Sequence, residues 1–265
     1  MSQPIVSIEH VSKSFGGIRA VNDCSFAIAR GSITGLIGPN GAGKTTLFNI
    51  VAGALAPSAG RILLDGADIT GRKTHQLFAL GLVRTFQIAH EFSRMTVLEN
   101  LMVVPPGQTG ESLVAAWLRW GRVRVEEARI RERAEAVLDF LKLDRLAGEL
   151  AGNLSGGQKK LLELGRAMMT EAKVVLLDEV GAGVNRTLLG DLAAHIERLN
   201  REQGYSFCVI EHDMDLIARL CHPVIVMAEG SVLAQGTMAE IKSNDAVIEA
   251  YLGSRAARRA EARAR

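Results

Sequence analysis

The chain has 265 residues, 48% of them hydrophobic and 23% charged, which is enough to bury a sizeable core and lies near the upper end of what one domain holds. No apolar run approaches the roughly 20 residues a membrane helix needs, which excludes a chain that crosses the bilayer itself. The formal net charge is +2, and the three cysteines (Cys24, Cys208, Cys221) are scattered without CxxC spacing, which excludes a disulfide framework or a thiolate zinc site and suits a reducing compartment.

The opening MSQPIVSIEH lacks the basic-then-apolar pattern of a secretory signal, so the chain is expected to stay in the cytosol. From Ile5 to Val11 apolar and polar residues alternate, the chain turns at Gly16-Gly17, and the pattern resumes through Cys24 to Ile28, which predicts antiparallel strands. Ser32 to Ile37 reads as a buried strand running into a glycine-rich turn, with an apolar helix from Thr45 to Leu55, and Gly60 to Gly66 reads as a further strand. A largely helical stretch follows from about Leu98 to Met169. Within it Ala128, Ala134, Val137, Leu138 and Leu141 are spaced to face inward. Strands return at Val174 to Leu177, Phe207 to Ile210 and Val224 to Met227, so a helical lobe is inserted into an α/β core. The last residues, SRAARRAEARAR, are basic and Ala-rich, and residues 254–265 are read as a frayed, peripheral tail.

Three stretches carry chemistry. Gly38-Pro39-Asn40-Gly41-Ala42-Gly43-Lys44-Thr45-Thr46 fits GxxxxGK[ST] between a strand and a helix. Glycines let successive amides point into one concavity, the helix adds its positive end, Lys44 neutralises the β- and γ-phosphates, and Thr45 can ligate magnesium. Val174 to Leu177 is an apolar strand that delivers Asp178 and Glu179 at its carboxyl end, where open α/β sheets bind ligands. Asp178 is placed to hold the magnesium shell and Glu179 to polarise an attacking water. The third stretch is Leu154-Ser155-Gly156-Gly157-Gln158, ahead of a helix rich in Leu and Ala; its hydroxyl and amides at a helix start suit an anion.

LSGGQ followed downstream by a strand and Asp-Glu resembles the ABC (ATP-binding cassette) transporter ATPases, from Val6 to Leu252. The resemblance implies a P-loop cassette with a RecA-like α/β core, an N-terminal antiparallel β-subdomain and an inserted helical subdomain. It places a single cassette in residues 1–253, with a core lobe at 1–87 and 170–253 and a helical lobe at 88–169. It further implies that Ser155, Gly156, Gly157 and Gln158 face the γ-phosphate held by a partner's phosphate loop. Gln87 matches the glutamine switch that senses magnesium and the membrane partner. His212, in Ile210-Glu211-His212-Asp213, matches the switch histidine that contacts the γ-phosphate and helps hold Glu179 and water. Phe15 matches the aromatic that stacks on adenine. Two positions depart from the family pattern: Val180 stands where Pro is common, and Asn185, in the loop that links the two sites, stands where Asp is common.

One phosphate loop and one signature without an internal repeat imply a head-to-tail pair of cassettes, either two copies or two related chains, with ATP and magnesium at each site. Within the family, Arg84-Thr85-Phe86-Gln87, Thr96 to Leu101, Glu211 to Met214 and Glu249 to Gly253 are most similar to ATPases of branched-chain amino acid importers. That resemblance implies two transmembrane permease subunits, an extracytoplasmic solute-binding protein acting indirectly, a peripheral location on the cytoplasmic face of the inner membrane, and no nucleic acid. Related systems for urea, amides, aromatic acids or lipopolysaccharide export share these features. A soluble ABC ATPase acting on nucleic acid or ribosomes has only the basic tail in its favour.

Overall fold

The computed structural model describes residues 3–85, 91–111, 117, 120–170 and 172–252. Gln87, expected to act as a switch glutamine, and the tail 254–265 lie outside these residues. The chain divides into two compact units. One comprises Met1–Arg84, Lys173–Gly181 and Ile196–Arg265, the other Thr85–Ala172 and Ala182–His195. Residues 182–195, assigned to the core lobe from sequence, thus fall in the helical unit.

Among the described residues the first unit contains two sheets. An antiparallel sheet has the order β2-β1-β4-β5, built from β1 (Pro4–Phe15), β2 (Ile18–Ala29), β4 (Ala59–Leu64) and β5 (Ala67–Asp68). Its inward residues Ile8 and Val11 are an odd number of positions apart, as are Val21 and Cys24, so strict alternation would turn one of each pair outward. The register shifts between Ile8 and Val11, and His10 and Asp23 adopt positive φ, which keeps all four side chains buried.

The second sheet has the order β10-β9-β3-β8-β7-β6, from β3 (Ile33–Ile37), β6 (Leu82–Arg84), β7 (Val174–Asp178), β8 (Ser206–Ile210), β9 (Val224–Ala228) and β10 (Ser231–Gly236). β3, β7 and β8 are buried at every residue, as continuous apolar runs in parallel strands require. The β9–β10 pair is antiparallel, and the pairs among β3, β6, β7, β8 and β9 are parallel. Leu47, Phe48, Ile50 and Val51 of α1 (Lys44–Val51) join side chains of both sheets in one apolar core. A short α2 (Thr74–Ala79) precedes β6, and α7 (Met214–Leu220) and α8 (Met238–Lys242) flank the last strands.

In the second unit, α3 (Val97–Met102), α4 (Trp120–Phe140) and α5 (Gly156–Met169) pack on one another. They meet at Gly165, where an added Cβ would press on Leu141, Leu101 and Val137. Asn100 is fully buried. Its amide nitrogen donates to the carbonyls of Phe92 and Thr96 and its oxygen accepts from Phe92 N, tying the segment before α3 to the helix. The buried stripe of α4 runs through Val123, Ala134, Val137 and Leu138, continuing to Leu141. Ala128, expected inside, is exposed: it sits two positions from the half-buried Glu126 and Ile130, which puts it on the opposite face. The start of α6 (Arg186–Gln203) also belongs here, with His195 stacked at a tilt 5.4 Å from the Phe140 ring. No helix among the described residues is long and apolar enough to cross a membrane.

Candidate functional site

Strand β3 ends at Ile37 and α1 begins at Lys44, so residues 38–43 form a loop at the carboxyl edge of the parallel strands. Gly38, Gly41 and Gly43 all have φ between 82° and 149°, a backbone that L side chains rarely adopt. A Cβ at Gly38 would also collide with the Met227 carbonyl oxygen. Pro39 and Asn40 continue the loop, Ala42 is buried, its carbonyl accepting from Gly230 N at 3.1 Å, and Thr46 lies in the first turn of α1. Lys44 is only 7% exposed and folds back to donate from Nζ to the carbonyls of Gly38 (2.7 Å) and Pro39 (3.0 Å). Burial lowers the proton affinity of its amine, while Glu179 and Asp178 oppose that shift. A buried cation above a concave loop and a helix start suits a polyphosphate. Thr45 is exposed at the helix start, placing its hydroxyl where a ligand can reach it.

Asp178 ends β7 and Glu179 follows it with φ of 50°, so the chain leaves the sheet at that residue. Glu179 N still donates to Ile210 O at 2.9 Å, one step beyond the β7–β8 ladder. His212, two residues past the end of β8, donates from Nε2 to Glu179 Oε1 at 2.9 Å, the tautomer that a carboxylate partner requires. The ring is about half exposed and Glu179 a quarter exposed, so water can reach the pair. Asp213, next in sequence, caps α7 by accepting from Asp215 N and Leu216 N. A carboxylate held by an imidazole at an open strand end can orient and deprotonate a water molecule.

Two further charged residues belong to this edge. Arg84, at the end of β6, donates from Nη2 to Asp178 Oδ2 at 2.7 Å and from Nη1 to Asn49 Oδ1 of α1. Glu211, 5% exposed, accepts from Gly181 N at 2.6 Å and from His212 N at 3.1 Å. Sequence reading gave neither a role. A charged residue at a strand end looks solvent-facing until the β6-β7-β8 order sets the strands side by side.

Phe15 lies at the tip of the β1–β2 hairpin, 50% exposed, with Lys13 Nζ 5.4 Å from its ring centroid; it offers a flat apolar surface to a base. The signature residues stand in the helical unit. Ser155 is the N-cap of α5 and accepts from Gln158 N, while Gln158 Oε1 accepts from Ser155 N at 2.9 Å. The S-x-x-Q of the signature is therefore a capping box. Gly156 is exposed in the first turn, whereas Gly157 is buried, and a Cβ there would run into Leu188. Asn185 caps α6, its Oδ1 accepting from Leu188 N at 2.9 Å, after Gly183 at φ of 74°. Val180 is buried.

A divalent cation at this edge would have few carboxylates to draw on, since no group of three or more His, Cys, Asp or Glu suited to a metal occurs among the described residues. Asp178 with the Thr45 hydroxyl and phosphate oxygens is a donor set that suits magnesium, which takes one or two carboxylates and substrate phosphates.

The lysine-bearing glycine loop beside Asp178, Glu179 and His212 at one sheet edge suits a nucleoside-triphosphate hydrolase of the cassette type. The sequence profile of the ABC transporter family matches residues 21–182, and the chain belongs to that family, whose ATP-binding members are ATPases coupled to transport. Within it the chain stands among the branched-chain amino acid cassettes. The profile described as branched-chain amino acid ATP-binding cassette transporter matches residues 231–257. The chain is 43% identical over 254 residues to the probable branched-chain amino acid transport ATP-binding protein LivG of Archaeoglobus fulgidus, covering 94% of this chain and 96% of that one. It is 38% identical to BraF of Pseudomonas aeruginosa, a high-affinity branched-chain amino acid transport ATP-binding protein, covering 96% and 99%. Among solved structures it resembles a nucleotide-free ATP-binding cassette from an ABC transporter (36% identity, TM-score 0.79, 94% and 98% covered). It also resembles the ADP conformation of an ATP-binding cassette of an ABC transporter (34% identity, TM-score 0.80, 95% and 100% covered).

Proposed function

We propose that this chain is the ATP-hydrolysing subunit of an importer for branched-chain amino acids or related small polar solutes. The observation that carries the chemistry is the 2.9 Å contact of His212 with Glu179 on the same sheet edge as the Lys44 loop. Lys44 and the amides of residues 38–46 bind the phosphates, and Phe15 stacks on the base. Thr45, Asp178 and Gln87 would hold a magnesium ion, which would supply positive charge to the phosphates when bound. Glu179 takes the proton from the attacking water, and His212 orients that carboxylate and contacts the γ-phosphate.

Ser155 to Gln158 act in trans, on the nucleotide of a second cassette, and Asn185 links the two sites. The chain therefore works as a head-to-tail pair, with itself or with a related cassette, on the cytoplasmic face of the inner membrane. Permease subunits provide the path, a solute-binding protein outside delivers the cargo, and nucleic acid has no part. The solute assignment rests on similarity over nearly the full length to relatives named for branched-chain amino acid transport.

Co-purification from native membranes followed by reconstitution tests the reading. Two multi-span permeases, a second cassette and leucine uptake driven by ATP support it. Co-purified lipopolysaccharide-export components, or nucleic acid without membrane protein, would overturn the transport role.

A further inference from the structure

The β7–β8 ladder runs from Val174 opposite Ser206 to Asp178 opposite Ile210, and the Glu179 amide adds one last bond to Ile210 O. Beyond it the left-handed backbone of Glu179 turns the chain away, so the Gly181 amide has left the reach of the strand. Gly181 is partly buried, and its N–H still seeks an acceptor. Glu211 supplies it: one carboxylate oxygen accepts from Gly181 N at 2.6 Å and the other from His212 N at 3.1 Å. With His212 Nε2 on Glu179 Oε1, the contacts close a ring through Glu179, Gly181, Glu211 and His212.

We propose that Glu211 is a positioning residue for hydrolysis, whose carboxylate fixes the loop leaving Glu179 against the strand end that carries His212. The inference deepens the reading of Glu179 and His212 as the hydrolytic pair and rests on it. Two donors converge on two separate oxygens, a demand that a carboxylate meets and a carboxamide does not, because a glutamine would turn an NH2 group toward one of the N–H donors. Burying a carboxylate is costly, and the burial raises the proton affinity of Glu211 against the pull of its two amide donors. At 5% exposure Glu211 acts through the backbone it holds, since its own oxygens are taken up by these amides.

The test compares Glu211→Gln, Glu179→Gln and the unaltered full-length chain, measuring kcat and KM for ATP, fluorescent-nucleotide affinity and melting temperature. Glu211→Gln is expected to lower kcat by about tenfold or more, as small misplacements of reacting groups do, with KM and nucleotide affinity within about twofold. Wild-type kcat in Glu211→Gln, beside an inactive Glu179→Gln, overturns the positioning role and leaves the hydrolytic reading standing. Wild-type turnover by Glu179→Gln removes that reading and the inference with it. Should Glu211→Gln not fold, Glu211→Asp carries the same test. It keeps both acceptors on a shorter arm, so a reduced kcat at unchanged KM supports the role and an unchanged kcat overturns it.

Discussion

Arg84 Nη2 stands 2.7 Å from Asp178 Oδ2, so the carboxylate assigned to magnesium is held from one side by a guanidinium that also reaches Asn49 of α1. Both side chains are largely buried, at 12% and 5% exposure. Removing one partner of such a pair strands the other charge. Arg84→Ala is expected to cost about 3 kcal/mol in chemical denaturation, the lower end of the range for a broken buried pair because Lys44 stays near Asp178. A loss below about 1 kcal/mol would mean that the pair does not hold the strand ends.

Lys44 Nζ donates to the carbonyls of Gly38 and Pro39 at the mouth of the loop. Lys44→Ala removes the main cation facing a polyphosphate while leaving the loop's amides in place. ATP affinity is expected to fall by about a hundredfold or more, on the scale of a lost charge-assisted contact, with the melting temperature little changed. Equilibrium binding of a fluorescent nucleotide measures it, and near-normal affinity would refute the phosphate-loop assignment.

Gly157 is needed for space: a Cβ there runs into the side chain of Leu188. Gly157→Ala is expected to destabilise the chain by about 1–3 kcal/mol, the usual cost of overpacking. Leu188→Ala in the same chain should recover most of the loss. Denaturant titration of the single and double variants checks the coupling, and purely additive losses would contradict it.

All three cysteines are buried, and burial pushes the thiols of Cys24 and Cys221 up to about 12, with the thiol of Cys208 raised in the same direction. Folding thus penalises the thiolate. Below the ordinary thiol value of about 9 the contribution to stability is complete, and it is lost as pH rises from there toward 12, because the unfolded chain sheds these protons first. The folded protein at pH 8 is expected to resist iodoacetamide until denaturant is added. Rapid alkylation of the native chain would show that at least one thiol is accessible.

The phosphate loop and the strand-end carboxylates were legible because their chemistry is written in local spacing: glycines before a lysine, and an apolar run before Asp178 and Glu179. Arg84 and Glu211 were not, because each acquires its partner from a neighbouring strand, and strand order is a property of the whole sheet. The signature shows a different gap. Ser155 and Gln158 read as ligand-facing groups, yet in the folded chain they also bond to each other across the first turn of α5, a local pattern that the S-x-x-Q spacing already contained. Apolar spacing alone puts Ala128 inside, whereas the buried stripe of α4 starts at Val123 and leaves Ala128 on the exposed face. Residues 182–195 follow a core strand in sequence but pack with the helical unit through Leu188 and His195, contacts no local pattern announces.

If Glu179 supplies the base for ATP hydrolysis, Glu179→Gln should all but abolish turnover, because the side chain keeps its shape and loses its basicity. Single-turnover hydrolysis and ATP binding are measured together on the full-length chain. ATP is expected to bind at wild-type affinity and an ATP-bound dimer to accumulate, with turnover reduced by about a hundredfold or more. Hydrolysis by Glu179→Gln at close to the wild-type rate would contradict that role for Glu179.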